Sequence, residues 1–277
     1  MLWRFSVALI LAAGAALSQP LTHIRTIPLG AAAPGFGGLS AIEIRAPGRA
    51  LVLSDRGQAF DLVIDRHAGT VTATATGQPR PNRDSEGLAW AGDTLYFSYE
   101  GPAQVVRADG TALPGHPDFA RLHPNRSFDA LAAAPDGTVY TLPERPSGAN
   151  APFPIYAFTG GEWRVAGTLP RAGAFLVAGA DMGPDGLLYI LERAFSPLGF
   201  RTRIRRFDPG TPDAPAPVLL KTGIGAHDNL EGIALWQSAS GATCLTMVSD
   251  DNFLSIQRSE LVEYALTETL AGGATCD

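Results

Sequence analysis

Lysine is almost missing: Lys221 stands alone among 21 basic residues, the rest being arginines scattered along a 277-residue chain of net charge −6. Without a basic run there is nothing to neutralise a row of phosphates, and nucleic acid is excluded as a partner. Cysteine is scarce as well. Only Cys244 and Cys276 occur, and with five scattered histidines they exclude a zinc site of familiar Cys/His spacing. Long apolar runs are absent after residues 5–17, and those 13 residues fall short of the roughly 20 that span a bilayer as a helix. The chain also lacks a Gly-x-Ser-x-Gly elbow, a Walker-type phosphate loop, a dinucleotide fingerprint and a His-Glu-x-x-His pair, which removes the chemistries built on them.

Residues 1–4 carry one positive charge, the apolar run follows, and Ala16-Leu17-Ser18 supplies small residues for cleavage. This reads as a secretory signal peptide over 1–18, followed by one domain over 19–277. The expected product is a periplasmic or secreted monomer with no membrane span. An oxidising compartment would let Cys244 and Cys276 pair, tying the C-terminal tail to the last repeat. Charged residues are only 17% of the chain, while Gly and Pro together make up 53 positions, as many short strands with tight turns require.

Five repeats run through the chain. Each has a small or acidic residue, an apolar pair, a Gly-containing turn, a β-rich run and a closing acid. Counted from Gly37 through Glu86, Asp129, Asp181 and Glu231, the spacings are 49, 43, 52 and 50 residues, the length of a propeller blade. The fold class expected is all-β: a β-propeller of five four-stranded blades, with the strand at 23–29 completing the last one. A sixth blade would have to come from 110–126 or 211–227. Two stacked β domains are the alternative, disfavoured because no linker interrupts the repeats.

Equivalent positions in successive blades form rings around the central channel. One ring is expected to hold Glu86, Asp129, Asp181 and Glu231, with Gly37 breaking it. A second would hold Asp55, Glu100, Glu144, Glu192 and Asp251 at the same mouth. So many carboxylates need compensation, because like charges a few ångströms apart raise one another's pKa. Arginines supply one kind: Arg56, Arg145 and Arg193 directly follow acids, and Arg83 and Arg126 precede ring acids by three residues. A captured cation is the other, and an all-oxygen site suits calcium. The metal ligands expected are Glu86, Asp129, Asp181, Glu231, Asp250 and Asp251. Arg56, Arg145 and Arg193 would bind the substrate, since a guanidinium fork matches phosphate or carboxylate. His227, just before Glu231, is the expected proton donor or acceptor, with Glu86 and Glu231 as the other catalytic candidates.

Asp84-Ser85-Glu86-Gly87-Leu88-Ala89, the Glu-Arg strand ends at 144–145 and 192–193, Asp228-Asn229-Leu230-Glu231-Gly232-Ile233 and Ser249-Asp250-Asp251-Asn252 together resemble the phytase-like family of exported bacterial proteins, also described as having esterase-like activity of phytase. The resemblance implies a propeller, hydrolysis of phosphate or other esters of a small anionic substrate, and calcium as the ion. Glu86, Glu231, Asp250, Asp251 and Asn252 are its motif positions. The chain departs from the pattern at Gly37, where an acid would complete the ring, and at Gly101, where other repeats place arginine. Metal-assisted hydrolysis and a non-catalytic propeller that binds a ligand or protein in the same funnel are therefore the two readings to separate.

Overall fold

The computed structural model describes residues 20–30, 33–76, 84–123, 125–148 and 150–277. The signal-peptide segment and Arg83 lie outside the described residues. The first strand, β1 (Leu21–Pro28), is followed by blade 1: β2 (Leu39–Ala46), β3 (Arg49–Ser54), β4 (Ala59–Asp65) and β5 (Thr70–Ala75). Blade 2 holds β6 (Ser85–Ala91), β7 (Thr94–Tyr99) and β8 (Gln104–Arg107), with a single bridge from Val106 to Ala112 at its outer edge. Blade 3 is β9 (Ala130–Ala133), β10 (Val139–Leu142), β11 (Phe153–Thr159) and β12 (Glu162–Leu169). Blade 4 is β13 (Leu176–Met182), β14 (Leu188–Ser196), β15 (Gly199–Phe207) and β16 (Val218–Lys221). The last blade takes β17 (Asn229–Gln237), β18 (Thr243–Asp250) and β19 (Glu260–Leu266), and β1 pairs antiparallel with β19 to complete it.

This is the five-bladed propeller expected, closed by the N-terminal strand. The stretch at 211–227 contributes β16 to blade 4 and the stretch at 110–126 a short 3₁₀ turn, so neither forms a sixth blade. The inner strands β2, β6, β9, β13 and β17 touch in sequence and β17 returns to β2, closing the ring. Between each pair of neighbouring blades lies one apolar layer. Phe60, Val52 and Val248 belong to the layer between blades 5 and 1, and Phe153, Ile190 and Phe207 to that between 3 and 4. Alternation explains the pattern: each inner blade strand buries both faces against adjoining blades, so it reads as nearly continuous apolar or small residues.

Closure is reinforced by charge. The side chain of Glu263 on β19 is fully buried and receives Arg66 from the β4–β5 turn at 2.7 Å and Arg25 from β1 at 3.2 Å. Arg25 also reaches Asp277 at 2.6 Å, and Arg66 stacks on Trp236. Next to this clasp Cys244 and Cys276 form the expected disulfide, which fastens the tail to β18 among Trp236, Ala242 and Ala265. A Cys244→Ser/Cys276→Ser variant should lose about 2–4 kcal/mol of stability in urea melts, with its five-bladed far-UV spectrum retained. An unchanged midpoint would mean that the Glu263 clasp alone holds the tail.

A candidate acidic funnel at the channel mouth

Register locates the ring residues more accurately than sequence spacing does. Near the mouth ends of β2, β6, β13 and β17 one residue is skipped in the pairing with the next strand: Ser40, Glu86, Ala178 and Glu231. Each is the extra residue of a β-bulge, which re-aims its side chain next to a binding site or mouth. In blade 3 the equivalent residue is Asp129, immediately before β9. The inner ring is therefore Ser40, Glu86, Asp129, Ala178 and Glu231. The outer ring follows from the same register: Asp55, Glu100, Arg193 and Asp250 each come one residue after the partner of the residue that precedes the bulge, and Glu144, whose N–H donates to Ser127 O, holds that position in blade 3.

Blade 4 thus contributes no acid to either ring. It contributes an arginine. Arg193 Nη1 lies 2.5 Å from Glu231 Oε1 and donates to Asn229 Oδ1 at 2.8 Å, while its other terminal nitrogen is 3.7 Å from Glu144. Asn229 in turn donates to Glu231 at 2.7 Å and to Asp250 at 3.3 Å, so one arginine and one amide organise three carboxylates.

These rings open into a cavity of about 260 Å³ lined by Asp55, Asp84, Glu86, Glu100, Asn125, Arg126, Asp129, Glu144, Arg145, Arg193, Glu231, Asp250 and Asn252. Beneath it the channel narrows to a space of about 10 Å³ between the inner strands, about one water. Gly87, Gly179 and Gly232 form that waist, and a Cβ on Gly179 would collide with the Glu231 carbonyl. The mouth is a blind, polar funnel.

Its electrostatics divide by blade. Arg193 offsets the acids of blades 3 and 5, yet carboxyl oxygens of Asp84, Glu86 and Glu100 in blade 2 lie within 4.8 Å of one another. Burial, then the charges of Asp129, Glu231 and Asp84, hold Glu86 well above the carboxylate range. Asp129 is raised as strongly by burial and Glu144, and its Oδ1 is buried with no hydrogen-bond partner. Glu100 is pushed to about 7, mainly by burial, even though Ser127 N–H donates to it at 2.6 Å. Asp250 is also pushed to about 7, by burial and by Glu231.

Several expected site residues lie elsewhere. Asp181 is three residues past the bulge of β13, about 10 Å down the strand at 3.3 Å per residue; there it accepts Leu235 N–H at 2.6 Å and Met182 N–H at 2.7 Å. Glu43 holds the same position on β2. Gly37 likewise is not the ring position of blade 1; Ser40 is. Glu192 lies one residue short of the outer ring and is wholly buried under Arg203 and Arg205, each at 2.6 Å. Asp251 points away from the funnel, accepting Gly38 N–H at 2.9 Å and the Ser259 hydroxyl at 2.8 Å, and so staples blade 5 to blade 1. Arg56 is exposed and stacked over Phe253, with its guanidinium carbon 3.4 Å from the ring centre. His227 is not among the residues lining the funnel: it is buried against Tyr264, 2.7 Å from its hydroxyl, and burial lowers its pKa to about 4. The expected roles of Asp181, Asp251, Arg56 and His227 at the mouth are corrected accordingly. The sequence reading assigned Asp84, Asn125 and Asn229 no role. For Asp84 a signal was available, since it stands two residues before Glu86, the spacing that in a regular strand places side chains on one face.

The sequence matches the family described as Phytase-like, esterase-like activity of phytase, over residues 34–253. The chain belongs to this family. In the phytase-like propeller the matched span takes in both carboxylate rings and stops just past the funnel residue Asn252. No curated protein sequence matches significantly. Among solved structures, the catalytic domain of the Coprinopsis cinerea GH62 α-L-arabinofuranosidase shares 12% identity, with 88% of this chain and 95% of that one covered at a TM-score of 0.54. The α-L-arabinofuranosidase of Podospora anserina, solved with cellotriose, shares 12% identity over 86% of this chain and 93% of that one, also at 0.54. Both likenesses are of fold.

Two outcomes follow from this charge arrangement. Arg193→Met should cost roughly 3 kcal/mol or more, because it leaves buried carboxylates uncompensated; urea melts at neutral pH measure it, and parent-like stability would show that the arginine is dispensable. Lower in the channel, burial raises Asp181 to about 7, and burial together with the Asp181 charge holds Glu43 well above the carboxylate range. Raised acids contribute stability below their unfolded pKa, near 4, and lose it as pH climbs through the folded value. Glu43→Gln should therefore match the parent at pH 4 and exceed it at pH 8; the opposite order would contradict a buried acid pair.

Proposed function

We propose that this phytase-like propeller is an exported, metal-assisted hydrolase of phosphate or other esters, working in the acidic funnel. One observation carries the reading: the blade 2 acids Asp84, Glu86 and Glu100 converge with no ion pair to a basic side chain among the described residues, beside Asp129 of blade 3, whose Oδ1 has no hydrogen-bond partner, and opposite the arginines of the other wall. An unpaired buried carboxylate oxygen such as Asp129 Oδ1 is costly, and an all-oxygen donor set of this kind fits a hard divalent cation, calcium foremost. Such an ion would supply Lewis-acid polarisation of the ester oxygen.

The remaining roles fall to the chain itself. Arg145, whose Nε lies 3.5 Å from Glu144 Oε2, and Arg126 line the cavity, and their guanidinium groups would take the anionic group of the substrate. Arg193, already held by Glu231, Glu144 and Asn229, fixes the carboxylates around it. Asp250, poised near neutrality, accepts the proton of the attacking water as the new oxygen bond forms and the ester bond breaks. The Cys244–Cys276 disulfide fits export to an oxidising compartment.

The test pairs turnover with binding. Residues 19–277 should hydrolyse 4-nitrophenyl phosphate or 4-nitrophenyl acetate with calcium and not with chelator, and Glu86→Gln or Asp250→Asn should lower kcat about 100-fold or more. Calcium should also raise the melting midpoint of the parent, as any ion held only by the folded state must. A calcium-dependent midpoint with no turnover of either ester would leave a binding propeller. No shift and no turnover would sink both the ion and the hydrolysis.

A further inference from the structure

Eight large apolar side chains are exposed among the described residues, and five of them, Phe195, Leu198, Ile224, Leu254 and Ile256, sit on three segments at the funnel mouth. Topology puts them there. Beyond the ring residue Arg193, β14 runs on to the hairpin that returns as β15, and beyond the ring residue Asp250 the chain forms the loop leading to β19. The 222–228 segment bridges the two. Gly225 N–H bonds Phe200 O at 2.8 Å, and Arg258 N–H bonds Asp228 Oδ2 at 2.9 Å. The three tips are therefore one continuous rim over blades 4 and 5.

These tips stand out from the surface. Leu198 is 81% exposed, Ile256 86% and Phe195 69%, with Phe195 braced against Phe200 at 5.3 Å between ring centres. A substrate pocket would enclose such groups; a water-facing surface has no use for them together. Charge narrows the partner. In a chain of net charge −6, the rim segments 194–201, 221–228 and 251–258 carry three basic residues, Arg201, Lys221 and Arg258, against two acids, Asp228 and Asp251. Arg258 is paired with Asp228 at 3.6 Å and with Glu260 at 2.9 Å, and Asp251 is held by Gly38 N–H and the Ser259 hydroxyl. Among the described residues, no ion pair engages Arg201 or Lys221. Apolar side chains flanked by cations are what an anionic bilayer surface accepts, the former entering the headgroup boundary and the latter meeting lipid phosphates.

We infer that the propeller docks mouth-first on an anionic lipid surface through this rim, which would present the funnel to esters held at that surface. The docking itself requires no turnover, so it stands or falls separately from the hydrolase reading. Sedimentation with phosphatidylglycerol/phosphatidylethanolamine vesicles at low salt tests it. The parent should pellet with these vesicles and much less with pure phosphatidylcholine. Phe195→Ser/Leu198→Ser/Ile256→Ser, whose side chains are exposed and whose melting midpoint should stay at the parent value, should partition at least tenfold more weakly. Lys221→Gln should weaken binding roughly fivefold on the anionic vesicles alone. The inference is overturned if the parent stays in the supernatant, if the triple variant pellets as well as the parent, or if gel filtration shows that these side chains instead join two copies of the chain.

Discussion

Negative charge held close to the propeller axis is the constraint on which the rest depends. Five inner strands meet around one channel, so any side chain repeated at an equivalent position is brought near its copies. Acids at those positions are carried out of water and toward each other at once, and both effects favour the neutral form. Glu86, Asp129, Glu231 and Asp250 all show it. The fold answers differently on its two sides. Blade 4 replaces both of its ring acids, with Ala178 and Arg193, and so neutralises its neighbours from within. Blade 2 does the opposite, adding Asp84 to a pair of acids already crowded. The asymmetry gives the funnel one wall rich in carboxylate oxygens and one wall carrying guanidinium groups.

Holding such a funnel open requires a rigid ring, and the molecule supplies it away from the mouth. Apolar layers between blades provide the bulk of the cohesion, and the seam where chain ends meet is secured by different means: strand pairing of β1 with β19, a buried glutamate gripped by two arginines, and a disulfide. The seam is where a propeller would otherwise open. Asp251 belongs to this seam and not to the funnel lining, since it binds backbone of blade 1 from the turn that also carries Asp250. Two adjacent aspartates thus serve two purposes, decided by the alternation of side-chain direction along the strand end.

The repeats were legible without coordinates because each blade repeats one pattern of turn glycine, apolar pair and closing acid, and the pattern survives divergence. Spacing alone, however, misplaced blade 4. By spacing Asp181 is the equivalent of Glu86 and Glu231, an acid about one blade length from each neighbouring ring acid, yet the β-bulge at Ala178 sets the true register three residues earlier. The same shift moved Glu192 out of the ring and Arg193 into it. A bulge has no sequence signature of its own here, since Ser40, Glu86, Ala178 and Glu231 share only the small or glycine residue that follows. His227 misled for a simpler reason: nearness in sequence to Glu231 says nothing about which way a loop side chain turns, and Tyr264 draws it into the blade.

Sequence by itself determined the all-β class, the five repeats, the closing N-terminal strand, the disulfide and the concentration of carboxylates at strand ends. Each of these is written in local patterns of polarity and turn residues, which act over a few positions or recur at fixed distance. Tertiary structure alone decided which acids share the funnel, which arginine answers them, and that exposed apolar tips gather on the same rim. Those outcomes turn on register and side-chain direction, where a single extra residue in one strand reverses what faces the axis.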